Sequence, residues 1–349
     1  MKKQLRLVGR IFVLLAAAIL IFDAKTASKG VQEGIELCLK SVIPALFPFV
    51  CLSGMLNRVI IGNSPVIMRS LGRLLRIPSG TEGILLAGLL GGYPIGAKMI
   101  IDAQKNGSIS DNCSRRMLGF CNQAGPAFLF GMLGPIVGSQ KYIWMIWGLQ
   151  ILSAIITGIL LPGKSEDYRV TNNHAAHSYN TSIRSTILTM STICSWVIIF
   201  RVILAFISRW FIWMLPQHMQ VLLAGILELS NGCAALSQIQ SLWEIMIISG
   251  IILSFGGICV LMQTITVCGD LGTGLYFPGK ILQASINCLL SVLLAVLTFL
   301  DADIAVIVPL AAVSLISLSG VLLYLHRKKV VAFLRRILYN NGSYSYERG

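Results

Sequence analysis

The chain has 349 residues, of which 55% are hydrophobic and only 12% are charged, and its mean hydropathy is +0.78. A soluble domain carries about 25% charged residues, so this composition excludes an ordinary soluble fold and predicts a protein with many membrane spans. The formal net charge of +14 does not by itself indicate nucleic-acid binding, because basic residues also gather on the cytoplasmic side of membrane proteins.

Eight apolar segments have the length of a membrane-spanning helix, and they predict an all-α polytopic membrane protein. Each is roughly 16–25 residues long, close to what a hydrocarbon core of about 30 Å requires. In chain order they are 8–23, 35–57, 117–137, 142–161, 186–208, 244–268, 281–300 and 304–325. The first resembles a signal peptide, but no convincing cleavage site follows it, and we interpret it as an uncleaved, peripheral span.

Two further apolar segments, 83–101 and 219–241, have a glycine-rich or polar middle. In the first, LLAGLL at 85–90 runs into the sequence GGYPIG; in the second, LLAGIL at 222–227 runs into ELSNG. Neither apolar half is long enough to cross a bilayer. We therefore predict two re-entrant hairpins, each of which enters and leaves the membrane on one side.

A second pair of matched segments follows the hairpins, LGFCN at 118–122 and LSFGG at 253–257. The two pairs are offset by 137 and 135 positions, which predicts one repeat of two elements. Three full spans separate the copies, so the second repeat is inverted, and both hairpin tips and both broken helices then meet near the midplane. The predicted organisation is a peripheral first helix at 1–30, repeat 1 at 35–161, a cytoplasmic linker at 162–184, repeat 2 at 186–300, and a last span with a basic tail at 304–349.

The basic residues set the predicted orientation. With the N-terminus in the cytoplasm, 22 of the 28 Lys and Arg residues fall in cytoplasmic segments, among them Lys280 in the loop before the seventh span. This asymmetry is what the positive-inside rule requires, and it accounts for the net charge without nucleic acid. We predict a protein of the lipid bilayer with both termini cytoplasmic. The sequence does not decide whether it forms a homo-oligomer.

The predicted breaks hold the residues that can carry function. Gly92 permits tight backbone geometry, and Pro94 can open a second half-helix whose free amides attract anions; close helix packing is the alternative role of such glycines. Glu228 is the acidic residue of a hairpin tip, where it can take a coupling proton, hold Na⁺ or bind a substrate donor. Neutralisation by Lys98 or Lys40 is the alternative.

Amide and cationic side chains complete the candidates. Asn122 and Gln123 are the most polar point of the third span, and they can bind a ligand, freed backbone or a neighbouring helix. Lys98 and Arg201 suit an anionic substrate, although Lys98 can also extend to the interface and Arg201 can pair internally. The chain lacks nucleophile, phosphate-loop and zinc motifs. We expect no enzyme, no metal site and no cofactor beyond a coupling H⁺ or Na⁺.

Four segments resemble those of a known family and occur in its order: GGYPIGAK at 91–98, FCNQAGPAF at 120–128, LELSNGC at 227–233 and SFGG at 254–257. They are similar to the YlbJ group of sporulation integral membrane proteins, within the nucleoside recognition, or Gate, family. The resemblance implies a fold like that of concentrative nucleoside transporters and movement of dipicolinic acid during spore formation, in the cell membrane or outer forespore membrane. By the same resemblance the substrate site comprises Gly92, Tyr93, Asn122, Gln123, Glu228, Ser230, Asn231, Ser254 and Gly256.

The residues themselves leave the substrate open. Half-helix N-termini can take the carboxylates of the flat dianion dipicolinate, with Tyr93 or Phe255 against its ring. A neutral nucleoside would instead use amides such as Asn122, Gln123 and Asn231. The leading hypothesis is a secondary transporter or facilitator of a small organic anion. The alternatives are a nucleoside-type transporter and a non-transporting membrane scaffold of a sporulation complex.

Overall fold

The computed structural model describes residues 2–60, 66–163, 179–298 and 303–342, and within these ranges all regular structure is helical. The α-helices are α1 Lys2–Phe22, α2 Ala24–Leu37, α3 Ile43–Ile60, α4 Val66–Leu74, α5 Glu82–Gly91, α6 Ile95–Lys105, α7 Asp111–Met117, α8 Pro126–Val137, α9 Gln140–Leu160, α10 Tyr179–Trp210, α11 Gln217–Leu227, α12 Leu229–Ala235, α13 Leu242–Phe255, α14 Gly257–Cys268, α15 Tyr276–Thr298 and α16 Ile304–Gly342. A π-helical turn, Cys38–Val42, joins α2 to α3. The all-α prediction is confirmed.

Six helical stretches of the described residues are long and apolar enough to cross a membrane. They are Ala24–Leu52, Gln140–Leu160, Thr186–Trp210, Leu242–Cys268, Tyr276–Thr298 and Val306–Arg327. Large apolar side chains lie on the outer surface of these helices; Leu297 is 75% exposed and Ile316 is 72% exposed. An apolar outer surface of this kind suits contact with lipid rather than water.

The N-terminal boundaries differ from the predicted ones. The predicted loop between the first two spans is helical, because α2 begins directly after Asp23, whose carboxylate accepts a hydrogen bond of 3.3 Å from the Thr26 N–H. Helix α2 then packs along α10. Gly30 and Gly34 allow this close approach, since a Cβ on either would lie 2.9 Å from a backbone Cα of α10.

The linker and the last helix also differ from expectation. Helix α10 begins at Tyr179, so the end of the predicted linker 162–184 is helical, while 164–178 lie outside the described residues. Helix α16 continues beyond the predicted last span into the basic segment as far as Gly342. The remainder of the predicted tail, 343–349, is likewise outside the described residues.

The two predicted hairpins are pairs of short helices with a break between their arms. Helices α5 and α6 flank residues 92–94, and α11 and α12 flank Glu228. Each pair crosses at two glycines: a Cβ on Gly96 would lie 3.1 Å from the Gly88 Cα, and a Cβ on Gly232 would lie 2.6 Å from the Gly225 nitrogen. Without side chains at these positions, the arms pack backbone to backbone.

The second pair of matched segments is also interrupted. Residues 118–125 are not helical, so the predicted span 117–137 is not one helix; α8 starts at Pro126, a residue suited to a first helical position. Helices α13 and α14 are separated by Gly256, which has a φ of +84° that favours glycine. Both interruptions pack against the hairpin glycines: the Cys121 carbonyl oxygen contacts Gly88, and Gly257 lies against the Gly225 carbonyl.

Candidate functional site

A small internal cavity lies where the four helix breaks meet. Both hairpins, both interrupted helices and the flanking helices α3 and α10 contribute to its wall. The cavity has a volume of about 30 Å³, which is room for about one or two water molecules. Its lining residues are Val42, Leu46, Tyr93, Ala124, Gly125, Phe128, Ile193, Val197, Glu228, Leu229, Ser230, Val260 and Gln263. Three predicted site residues, Tyr93, Glu228 and Ser230, are therefore brought together.

Glu228 provides the carboxylate of the cavity wall and is only 2% exposed. Its two oxygens accept hydrogen bonds from the backbone N–H groups of Ser230 at 3.0 Å and Asn231 at 2.7 Å, so the side chain caps α12. Lys40 does not neutralise it, because Lys40 pairs with Glu36 at 2.5 Å on an exposed helix face. The Ser230 hydroxyl also hydrogen-bonds this carboxylate, so most of the roughly four acceptor positions of the carboxylate are used within α12.

Tyr93 links the first hairpin to α13. Its hydroxyl donates a hydrogen bond of 3.1 Å to the Leu253 carbonyl. Gly256 lies beside the ring, since a Cβ there would come 2.9 Å from the phenol oxygen. Gly92 has a φ of +85° and packs against Gly125, one of the lining residues. Gly92 and Gly256 therefore make room for the Tyr93 side chain and for the cavity, although neither glycine lines the cavity.

The amides of Asn122 and Gln123 are bonded within the protein and are not part of the cavity lining. Asn122 accepts a hydrogen bond of 3.3 Å from the Ala97 N–H and donates one of 3.4 Å to the Thr264 hydroxyl. Gln123 exchanges two hydrogen bonds, of 2.9 and 2.8 Å, with Gln283. The structure thus favours the helix-bridging role for both residues, although the next two residues along the chain line the cavity.

The two predicted cations lie away from the cavity lining. Arg201 pairs with Glu33 at 2.5 Å and donates a hydrogen bond of 2.9 Å to the Asn231 side-chain oxygen. It therefore joins α2 and α12 to α10, which is the internal pairing considered from the sequence. Lys98 is half-buried on α6, one turn after the first break.

Two predicted polar residues leave buried atoms without a partner among the described residues. These atoms are the Ser254 hydroxyl oxygen and the Asn231 side-chain nitrogen. Buried polar atoms are normally hydrogen-bonded, so both are available to water or to a ligand. No cluster of three or more His, Cys, Asp and Glu side chains that could hold a metal occurs in the part of the chain that the structure describes.

Lys280 is the candidate that sequence reasoning missed. It is assigned from the sequence to a cytoplasmic loop, but α15 begins at Tyr276 and Lys280 is fully buried. Its ammonium donates a hydrogen bond of 3.0 Å to the Gln283 side-chain oxygen and lies 4.9 Å from the centre of the Tyr93 ring. A polar stripe along an apolar helix is the signal that could have found it, since Lys280, Gln283 and Asn287 share a helix face.

That stripe is part of a buried chain of amides and hydroxyls between α9 and α15. The Gln283 side-chain nitrogen is 3.3 Å from the Gln150 carbonyl, and Asn287 donates a hydrogen bond of 3.4 Å to the Ser153 hydroxyl. Ser291 donates one of 3.0 Å to the Asn287 oxygen. Amides of this kind hold apolar helices together where water is absent.

A larger cavity of about 380 Å³ adjoins the central one. It is lined by Pro94, Arg184, Leu188, Thr189, Thr192, Ile193, Gln263, Thr266 and Val267. Ile193 and Gln263 belong to both linings, so the two spaces share a wall. This larger cavity, called the outer cavity below, is of the size that binds small molecules. Arg184 adds an exposed positive charge to it.

Comparison with known proteins finds a distant relative. The chain is 24% identical to the sporulation integral membrane protein YlbJ of Bacillus subtilis (strain 168), over 78% of each chain. No family model and no solved structure matches it. The relative supports the YlbJ resemblance carried by the four motifs, while the Gate assignment stays a prediction. Together with the six apolar helices, it identifies the chain as an integral membrane protein similar to a membrane protein of sporulation.

Proposed function

We propose that this protein is a secondary transporter or facilitator of a small organic anion, rather than an enzyme, and that dipicolinic acid in spore formation is the substrate to test first. The observation that carries the proposal is the central cavity, whose wall combines both hairpins and both interrupted helices. Secondary transporters bind their substrates where discontinuous helices of two repeats meet. A membrane scaffold has no need of such an interior.

The two cavities support alternating access. The central cavity of about 30 Å³ is too small for an aromatic dicarboxylate, whereas the adjoining space of about 380 Å³ is large enough. A substrate entering from the outer cavity must therefore separate the shared wall at Ile193 and Gln263 before it reaches the centre. We propose that this separation is the transport step and that the described arrangement is its closed state.

The side chains around the centre suit a flat anion with a coupling cation. Tyr93 and Phe128 supply aromatic surface for a planar ring, and Arg184 supplies positive charge at the outer cavity. The Glu228 carboxylate would repel a dianion. We therefore propose that Glu228 carries the coupling H⁺ or Na⁺ when the anion is bound, and that it does not contact the anion as a charged group.

A nucleoside-type transporter is the second candidate. The observation that favours it is the buried amide cluster of Gln123, Gln150 and Gln283, because neutral bases and sugars are recognised by side-chain donors and acceptors. This candidate keeps the same central cavity. It differs in predicting that a neutral ligand and not an anion is bound.

The test is uptake of radiolabelled dipicolinate and, in parallel, uridine into proteoliposomes that contain the purified protein. Dipicolinate uptake that falls at least about tenfold (about 1.4 kcal/mol) in Glu228→Gln and persists in Glu36→Gln supports the proposal. Glu36 is a matched control because it undergoes the same chemical change on an exposed helix face. Uridine uptake alone favours the second candidate. Uptake of neither, by protein that elutes and melts as a folded species, refutes transport of both.

A further inference from the structure

Lys280 is a buried lysine without a paired carboxylate. It is fully buried, and among the side chains that the structure describes no carboxylate forms an ion pair with it. An ionised ammonium taken out of water is costly unless an opposite charge compensates it. A ligand that carries a negative charge would supply that compensation.

The donors around Lys280 are suited to a carboxylate. The ammonium has three N–H donors, one of which is used by the Gln283 side-chain oxygen at 3.0 Å. Its other close neighbours are the rings of Tyr93 and Tyr276, whose centres lie 4.9 and 6.0 Å away. Aromatic faces attract a cation weakly, and charge-assisted hydrogen bonds to carboxylate oxygens are stronger. Both N–H groups of the Gln123 amide are already donated at 2.9 Å, one to the Gln283 side-chain oxygen and one to the Phe120 carbonyl, so the unused donors of this region are those of Lys280.

The group formed by Lys280, Gln283 and Gln123 adjoins the central cavity at two points. Tyr93 lines the cavity with one part of its surface, and the same ring contacts the Lys280 ammonium. Gln123 immediately precedes Ala124 and Gly125, which are also lining residues. A displacement of the Tyr93 ring therefore joins the cavity to the ammonium, and it enlarges a space that is too small for an organic ligand in the closed state.

We propose that Lys280, whose ammonium is positioned by the Gln283 side-chain oxygen, forms a carboxylate subsite of the transport site, behind Tyr93. The ligand class is a small organic anion with at least one carboxylate on a planar ring. This inference rests on the proposed function and deepens it, because it names the group that recognises the negative charge. The inference also assigns ligand binding to Lys280, a role that goes beyond bridging two helices.

The test measures binding to the purified full chain in detergent by titration calorimetry. The probes are dipicolinate and its neutral counterpart of the same shape, pyridine-2,6-dicarboxamide. The subsite predicts that wild-type protein binds the dicarboxylate at least about tenfold more tightly than the diamide. The preference should disappear in Lys280→Met and Lys280→Gln, and Lys280→Arg should retain part of it. Lys141→Met is the control, because Lys141 is exposed near the start of α9.

The outcomes separate the subsite from the transport proposal. Equal wild-type binding of the two probes, or no binding of either, overturns the subsite even if the Lys280 variants do not fold. A folded Lys280→Met protein that keeps the dicarboxylate preference also overturns it, and dipicolinate uptake by the wild type would then leave the transport proposal standing. A preference that depends on Lys280, in a protein without uptake, supports the subsite and counts against transport.

Discussion

The Tyr93 hydroxyl donates a hydrogen bond of 3.1 Å to the Leu253 carbonyl, 160 positions further along the chain. This bond joins the break of the first hairpin to the end of α13, and so joins the two predicted repeats beside the central cavity. Tyr93 also contacts the Lys280 ammonium. One side chain therefore connects the cavity wall, the second half of the chain and the buried lysine.

Tyr93→Phe should lower the stability of the protein. The substitution removes the hydroxyl and leaves the buried Leu253 carbonyl without this partner, a loss of about 1–3 kcal/mol. The midpoint of thermal unfolding in detergent should fall accordingly. Tyr324→Phe is the matched control, because Tyr324 is exposed and its ring contact with Arg327 is kept. A similar shift in the two variants would contradict the bridging role of the Tyr93 hydroxyl.

Gly96→Ala should disrupt the first hairpin. The new Cβ would lie 3.0 Å from the Asn122 Cα and 3.1 Å from the Gly88 Cα, and it would also meet the Cys121 carbonyl oxygen. These are backbone atoms that cannot rotate away, so overpacking should cost about 1–3 kcal/mol or more.

Gly131→Ala provides the control for this hairpin prediction. A Cβ on Gly131, in α8, would meet no atom within 4 Å, and alanine is favoured over glycine inside a helix by about 1 kcal/mol. Its melting temperature should stay equal to that of the wild type or rise. A Gly96→Ala protein as stable as Gly131→Ala would show that the helix arms do not cross at the glycines.

The Arg201–Glu33 pair should couple α2 to α10 more strongly than a surface pair would. The two side chains are 28% and 33% exposed, against 74% and 57% for Lys40 and Glu36. A double-mutant cycle with Arg201→Gln and Glu33→Gln should give a coupling of about 1 kcal/mol. The same cycle at the Lys40–Glu36 pair should give about 0.5 kcal/mol or less. Equal couplings would remove the case for a structural role of Arg201.

The predicted orientation can be tested with reporter fusions. A fluorescent protein fused to either terminus should fluoresce, because both termini are expected in the cytoplasm by the positive-inside rule. Alkaline phosphatase fused after Gly138, in the short connection between α8 and α9, should be active because that connection is expected outside. The opposite pattern would show that the topology is inverted. If both reporters are active when each is fused at the same site, the protein does not have a single orientation.

Much of the architecture follows from local sequence patterns. Apolar length predicts spanning helices because a hydrocarbon core requires about 20 residues. Glycine and proline mark candidate interruptions because glycine readily adopts a positive φ and proline lacks the backbone N–H that a helix interior uses. The interruptions at 92–94, at Glu228 and at Gly256 therefore fall where the sequence predicts them. Boundaries such as the helical start at Ala24 are less visible, because α2 is stabilised by packing on α10 rather than by its own polar sequence.

A helical membrane protein with two interrupted segment pairs can be predicted from the sequence alone, because these properties depend on composition and on the length of each element. Which polar groups meet is visible only in the folded protein. Arg201 pairs with Glu33 at a separation of 168 positions, and Gln123 pairs with Gln283 at a separation of 160. Lys280 is buried rather than in a loop because α15 begins before it and neighbouring helices cover it. Such contacts depend on how helices pack, and helical periodicity describes only one helix at a time.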